Sequence, residues 1–172
     1  MARIAVWGGK DPVGVAERVM RRFGLDSRLE AVARGEIALE RARVGGLAVA
    51  ALEPAGAWCA RLAAEPKVRA FDLIAGSGAP ILCLTEVVQE PTGSDAALWI
   101  TDAPASAAAI EARLGEIGFG GELVWSGPGL KLFALAGYVQ RHDPRLAAAP
   151  GRLTGIIGIV PETSVQLQPQ TA

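Results

Sequence analysis

The sequence has little cysteine, histidine or aromatic content and no excess of charge of either sign. Among 172 residues there are 2 cysteines and 1 histidine, too few and too far apart for a disulfide framework or a zinc site. Lysine and arginine number 17 against 18 aspartates and glutamates, which leaves no broad basic face for nucleic acid. No apolar run approaches the length of a membrane span. We therefore expect a cytoplasmic protein with no nucleic-acid or membrane partner, no metal and no cofactor.

The composition that remains is globular, with a mainly aliphatic core. Hydrophobic residues make up 51% of the chain and aromatic residues 5%, and 21 glycines indicate many turns. Proline, glycine and polar residues concentrate in "EPTGSD", which is the strongest boundary signal. We predict two parts, residues 1–92 and 93–162, followed by a polar, aperiodic tail of residues 163–172 that is expected to be disordered.

In the first part, strands are predicted to alternate with helices. The strand "RIAVWGG" is followed by the helix "DPVGVAERVMRRFG", which Asp11 caps and Gly24 ends. A later run, "LAVAALEP", is continuously apolar, as strands buried on both faces of a parallel sheet are. This pattern predicts an α/β fold with a small β-α-β sheet layer. The basic residues on the outer face of the first helix, expected to be solvated, are Arg18, Arg21 and Arg22.

The second part has the element order β-α-β-β-α-β. A strand "AALWITD" and a helix "APASAAAIEARLGEIGF" precede a hairpin around "GPG", a short helix "DPRLAAA" and a final strand "RLTGIIGIVP". This is the ferredoxin-like arrangement, in which four antiparallel strands are backed by two helices. The chain as a whole is therefore predicted to be α+β.

The loop between the first strand and the first helix is a candidate anion site. Gly8, Gly9, Lys10 and Asp11 combine glycine amides, a helix N-terminus and a lysine, a combination that favours a carboxylate or phosphate. The alternative is an ordinary strand-to-helix turn. The loop lacks the spacing of both common nucleotide-binding motifs, which argues against a nucleotide.

Two further places could hold a ligand. The amides that follow Asp102 at the start of the second-part helix could bind an amino-acid carboxylate across a dimer interface, although Asp102 could instead be only the helix cap. Trp125, in the hairpin, could stack on a ligand or simply pack. His142 lies in a loop-like context and is expected to be solvated, while Cys59 and Cys83 lie in apolar stretches where thiols are usually inert.

The second part resembles an ACT domain, the amino-acid-sensing module at the C-terminal end of prephenate dehydratases. That family carries an Asn-x-Pro-Gly-Ala-Leu type signal at its first strand-to-helix turn, and "TDAPASAAAIEARL" lies at the matching place. The residues at the matching positions are Asp102, Pro104, Ala105 and Ser106. The resemblance implies that these four residues contribute to a ligand site between paired sheets, and hence a homodimer.

The hairpin carries the second ACT-like motif. The family has Glu-Ser-Arg-Pro where this sequence has "WSGP", so that Ser126 and Pro128 match while Trp125 and Gly127 replace the acid and the base. The resemblance implies a ligand site at Trp125, Ser126 and Pro128 that is altered relative to a phenylalanine sensor. The final strand "IIGIVP" keeps the glycine and proline of the family's closing strand.

The first part resembles the opening of the prephenate dehydratase domain. The stretch "VWGGKDPVGVAERVMRRFG" has the outline of its first strand, glycine-containing loop and helix, and "VAALEPA" corresponds to a later strand, with Glu53 retained and Pro54 and Ala55 substituted. The family's Thr-Arg-Phe motif does not occur in the sequence, and about 90 residues are too few for its two-lobed cleft. No catalytic residue is therefore assigned.

These resemblances imply a non-catalytic regulatory protein of aromatic amino-acid biosynthesis that binds an amino acid or related carboxylate. With its alanine-rich sequence and tryptophan-containing turns, the chain is also similar to the non-catalytic segment that accompanies some bacterial chorismate mutases. This similarity makes such a mutase a candidate partner. Two alternatives stay open. One is a divergent or partner-dependent enzyme of the chorismate pathway, and the other is a structural dimerisation or protein-interaction domain.

Overall fold

The computed structural model describes residues 3–53, 57–75 and 79–168, which form nine strands and six helical segments. The strands are β1 (Arg3–Trp7), β2 (Arg28–Ala31), β3 (Leu47–Ala51), β4 (Arg69–Ile74), β5 (Ile81–Thr85), β6 (Asp95–Thr101), β7 (Gly121–Gly127), β8 (Leu130–Ala136) and β9 (Thr154–Pro161). The α-helices are α1 (Pro12–Phe23), α2 (Gly35–Arg43), α3 (Ala57–Ala64), α4 (Ala107–Glu116) and α5 (Glu162–Gln166), and a 3-10 helix occupies Pro144–Ala148. Pro54 and Ala55 lie outside the described residues.

The nine strands belong to one mixed sheet in the order β2-β1-β3-β5-β4-β9-β6-β8-β7. Strand β1 pairs in parallel with β2 and β3, as the continuous apolar strands of the first part predict. Strand β5 then pairs antiparallel with both β3 and β4, which makes the sheet mixed. The α/β fold class predicted from the sequence is confirmed.

Helix α1 begins and ends where its capping residues predict. Asp11 is the N-cap, and its Oδ1 accepts a hydrogen bond from the Gly14 backbone N–H at 3.0 Å. Gly24 follows the helix with a φ of 95°, which residues with a side chain rarely adopt. Val15 and Val19, four positions apart, are buried against the sheet.

The second part has the strand order β9-β6-β8-β7, with every neighbouring pair antiparallel. This is the arrangement expected of a β-α-β-β-α-β unit, and α4 backs it as predicted. The second helix is reduced to the 3-10 segment Pro144–Ala148. Pro144 and Pro150 bracket this segment, and a proline disfavours helical conformation in the residue before it, so a longer helix has no room.

Strands β4 and β9 connect the two parts of the chain. They pair in parallel at Ala70 and Gly158, where a Cβ on Gly158 would lie 2.0 Å from the Ala70 carbonyl oxygen. Only glycine therefore permits this approach of the two backbones. Strands from both sides of residue 92 belong to this one sheet, and the division of the chain into two domains at that residue stays a prediction.

Helices cover both faces of the sheet. On one face, α2 lies against β1, β3 and β5 and α3 lies against β9, and Trp58 and Leu62 of α3 are buried there. On the other face, α1 covers the first part and α4 covers the second, where Ile110 and Leu114 are buried. The described residues therefore bury apolar side chains on both sides of the sheet, which is what an α/β layer arrangement requires.

The tail does not follow the sequence prediction of disorder over residues 163–168. Residues Glu162–Gln166 form α5, and Ser164 and Val165 in it are buried. The Ser164 hydroxyl donates to Oδ1 of Asp72 at 2.7 Å, which holds the helix against β4. A buried carboxylate that needs hydrogen-bond donors explains why this polar segment is ordered. Residues 169–172 lie outside the described residues.

Candidate ligand-binding site

The glycine-containing loop after β1 is held close to the chain that leaves β3. Gly9 has a φ of 58°, and a Cβ at this position would lie 2.0 Å from the Glu53 carbonyl oxygen. The Lys10 backbone N–H donates to the same carbonyl at 3.3 Å. Glycine is therefore required at position 9 both by the backbone conformation and by the close approach.

A cavity of about 120 Å³, the loop cavity, lies beside this loop. It is at the carboxyl ends of the parallel strands β1 and β3, where ligands commonly bind in α/β sheets. Its lining residues are Gly8, Lys10, Asp11, Val15, Arg18, Ala51, Glu53 and Ala79. The structure thus places Gly8, Lys10 and Asp11 of the predicted loop site around one cavity.

Arg18 lines the cavity and does not use its full hydrogen-bonding capacity within the described residues. Its Nε donates to the Gly14 carbonyl oxygen at 3.1 Å within α1. Its Nη1 is buried and has no hydrogen-bond partner among the described residues. A buried guanidinium nitrogen without an acceptor is energetically costly, and an anion in the cavity would supply that acceptor.

The charges around the cavity are mixed. Lys10 and Arg18 are positive, and Asp11 and Glu53 are negative. The Asp11 carboxylate is already engaged as the cap of α1 through its bond with the Gly14 N–H. Glu53 is half-buried and is the other acidic side chain among the described lining residues. Such a set of charges suits a ligand that carries both a carboxylate and an ammonium group.

Asp102 has a structural partner different from the one that sequence predicts. Its Oδ1 accepts from the backbone N–H groups of Arg152 at 2.8 Å and Leu153 at 3.0 Å. Chiefly because of the Leu153 amide, the pKa of the Asp102 carboxyl lies below its usual value. Asp102 therefore ties the start of β9 to the end of β6 and does not cap α4.

The cap of α4 is Ser106, whose Oγ accepts from the Ala109 backbone N–H at 3.2 Å. The expectation that Asp102 caps this helix is wrong, because α4 begins only at Ala107. Pro104, Ala105 and Ser106 are exposed. Pro104 also lacks an N–H, so this turn offers fewer free amides than the helix start predicted from the sequence.

Trp125 packs in the core, as the simpler of its two interpretations predicts. Its side chain is 7% exposed, and a Cβ on Gly127 would lie 2.3 Å from the indole ring. The ring therefore lies over Gly127. Ser126 and Pro128 are exposed at the end of the hairpin, which turns at residues 127–130.

The two ACT-like motifs lie at the same end of the strands, beside the carboxyl ends of β6 and β7. Lys131 of β8 pairs with both Thr101 of β6 and Ser126 of β7, and its Nζ donates to the Ala103 carbonyl oxygen at 3.2 Å. Strand β6 runs opposite to β1, because β1, β3, β4 and β9 share one direction and β6 is antiparallel to β9. The loop cavity therefore lies at the opposite end of the strands, and the predicted site residues form two separate groups.

Sequence reasoning missed Arg18 and Arg22 as functional or structural cations by assigning them to a solvated face. Arg18 lines the cavity, and Arg22 donates from Nε to the buried Asp72 carboxylate at 2.8 Å. Both arginines stand three positions after a buried valine, Val15 or Val19. On a helix that spacing places a side chain beside the apolar stripe, which is the signal that could have found them.

The thiols do not offer a nucleophile. Cys59 and Cys83 are both buried, and desolvation, followed by the nearby Asp72, raises the pKa of the Cys83 thiol far above its usual value. Within residues 3–53, 57–75 and 79–168, no three histidine, cysteine, aspartate or glutamate side chains are grouped to hold a metal ion. In the same ranges, every helix is too short or too polar to cross a membrane.

Comparison with known proteins shows similarity in structure and not in sequence. No family model and no curated protein sequence matches the chain. The structure of prephenate dehydratase from Streptococcus mutans matches with a TM-score of 0.53 and 11% identity, over 94% of this chain and 99% of that chain. The prephenate dehydratase from Staphylococcus aureus subsp. aureus Mu50 matches with a TM-score of 0.52 and 12% identity, over 92% and 99%. The chain therefore has a fold similar to that of prephenate dehydratases.

Proposed function

We propose that the chain is a non-catalytic binding protein for an amino acid or related small carboxylate. The observation that carries the proposal is Nη1 of Arg18, which is buried beside the loop cavity and has no partner among the described residues. A ligand carboxylate accepts from this nitrogen, and the Lys10 ammonium adds positive charge to the same cavity.

The charge and size of the cavity favour the head group of an α-amino acid. Glu53 supplies a carboxylate for the ligand ammonium group, opposite in charge to Arg18 and Lys10. At about 120 Å³ the cavity is small beside the roughly 300 to 1,000 Å³ of typical ligand pockets, so it suits a compact head group, and a larger side chain extends beyond the cavity.

A regulatory role in aromatic amino-acid biosynthesis is the most specific form of this proposal. It is supported by the fold, which is similar to that of prephenate dehydratases, and by the lack of the Thr-Arg-Phe triplet in the sequence. We further propose a homodimer formed through the ACT-like part, since β7 is an edge strand that can pair with a second copy. A chorismate mutase is the proposed partner protein.

The test is a thermal-shift panel of phenylalanine, tyrosine, tryptophan, alanine, prephenate and chorismate. A ligand at a hundred times its dissociation constant stabilises the native state by about 2.7 kcal/mol. For a chain of this size we expect the midpoint to rise by about 5 to 10 °C. Arg18→Gln should abolish the shift, and Arg21→Gln is the matched control because Arg21 is exposed on the same helix.

Three outcomes would decide against the proposal. An unmoved midpoint throughout the panel would favour a structural or interaction domain. Equal shifts in Arg18→Gln and Arg21→Gln would place the ligand outside the loop cavity. Conversion of prephenate to phenylpyruvate would contradict the non-catalytic assignment and favour the enzyme alternative.

A further inference from the structure

A second cavity, of about 280 Å³, lies at the seam between the two parts of the chain. Arg69 at the start of β4 contributes to it from the first part, and Arg141, Ile156 and Ile159 contribute from the second. It lies beside the place where β4 meets β9, and its volume is more than twice that of the loop cavity. The two cavities share no lining residue.

Both arginines are fixed by backbone carbonyls of one turn. Arg141 donates from Nη1 to the Glu65 carbonyl oxygen and from Nη2 to that of Val68 at 2.8 Å. Arg69 donates from Nη2 to the Pro66 carbonyl oxygen at 3.3 Å. Two guanidinium groups are therefore held at one cavity wall by neutral acceptors, which orient them without neutralising their charges, and the Glu65 carboxylate offsets the charge of Arg141 only in part.

Two polar atoms at this cavity lack partners among the described residues. They are Nε of Arg69 and Oε1 of Gln89, and both are buried. No described residue in the cavity lining is acidic. Burial, followed by repulsion from Arg69, lowers the pKa of Arg141, which agrees with an excess of positive charge there.

We propose that this seam cavity is a second binding site, which takes a monocarboxylate with a compact apolar body. The carboxylate accepts from Nε of Arg69, and the apolar body lies against Ile156 and Ile159. A hydrogen-bond donor on the ligand reaches Oε1 of Gln89. Because the lining comes from both parts of the chain, occupation stabilises the junction of β4 with β9.

The probe is benzoate, compared with benzamide, which has a similar shape and no charge. Arginine Nε–H resonances are followed by NMR in the full chain while each compound is added. We expect benzoate to shift the Arg69 Nε–H resonance saturably and to bind at least tenfold more tightly than benzamide. Failure of the Arg69 resonance to shift, or equal binding of acid and amide, would overturn the proposal.

Benzoate binding to substituted proteins provides a second test of the seam site. Arg69→Met should weaken benzoate binding at least tenfold while Arg61→Met, at an exposed arginine of α3, leaves it unchanged. Arg18→Gln should also leave benzoate binding at the seam unchanged, which separates this site from the loop cavity. If Arg69→Met binds benzoate as tightly as the unmodified chain does, the seam cavity is not the site. The wild-type Arg69 resonance remains a test even if a variant does not fold.

Discussion

Replacing Arg22 by methionine should destabilise the fold through the carboxylate that it leaves behind. Asp72 is 2% exposed, and its charge is paired with the Arg22 guanidinium, which donates to Oδ2 from Nε at 2.8 Å and also from Nη2. The Leu73 N–H and the Ser164 hydroxyl donate hydrogen bonds to Oδ1 of Asp72, at 2.8 Å and 2.7 Å. In Arg22→Met these last two bonds remain, but the buried negative charge has lost its counterion.

The size of the effect follows from the burial of the two partners. Removing one partner of a buried ion pair costs about 3 to 5 kcal/mol. The Arg22 side chain is 52% exposed, so water screens the pair, and two donors to Asp72 remain. We therefore expect a loss of about 2 kcal/mol in the free energy of unfolding.

Urea unfolding followed by circular dichroism measures this loss. With a denaturant slope of about 2 kcal/mol/M, the midpoint should fall by about 1 M while the slope stays unchanged. Arg21→Met is the control, since Arg21 is exposed on the same helix and its substitution should change stability by no more than about 0.5 kcal/mol. If the two variants have the same midpoint, the pairing of Arg22 with Asp72 does not stabilise the fold as argued.

Three further predictions concern backbone contacts. Gly158→Ala should destabilise by about 2 kcal/mol or more in urea unfolding, because its Cβ would lie 2.0 Å from the Ala70 carbonyl oxygen; an unchanged midpoint would contradict the seam geometry. Gly115→Ala, in α4 and with open space around its Cβ position, should instead stabilise by about 0.5 to 1 kcal/mol, and a loss of stability would refute this. Asp102→Asn tests the lowered pKa of Asp102, whose largest cause is the Leu153 amide. Because that pKa is lower in the folded state, the carboxylate stabilises the fold above its unfolded pKa of about 3.9, and the stabilisation is lost as pH falls through the folded pKa. The difference in melting temperature between the two proteins should be constant near pH 7 and shrink below about pH 4, and a difference independent of pH would count against it.

The local structure was predictable where capping residues and apolar spacing agree. Asp11 and Gly24 define helix α1, and the strand order of the second part follows from its element order. The continuous sheet was not predictable, because the pairing of Ala70 with Gly158 joins segments that are far apart in sequence. The run "APILCLTEVVQE" likewise predicts a long strand, whereas β5 ends at Thr85, whose Oγ1 accepts from the Val87 N–H and turns the chain.

The candidate site was predictable only in its backbone. Gly8, Gly9 and Lys10 indicate a strand-to-helix loop, and the structure places that loop beside a cavity. The position of Arg18, three residues after the buried Val15, indicates a side chain beside the apolar stripe of α1, but it does not show that this flank of the helix meets the loop. Arg69 and Arg141 are distant in sequence, so their meeting at the seam depends on tertiary structure.

The central claim is that the loop cavity recognises an amino-acid head group through Arg18, and backbone-amide NMR during titration with L-alanine tests it most directly. The account predicts saturable shifts at Gly8, Gly9 and Lys10, lost in Arg18→Gln and retained in Arg21→Gln. It would be contradicted by resonances that do not move, or by shifts confined to the hairpin end at residues 126–128.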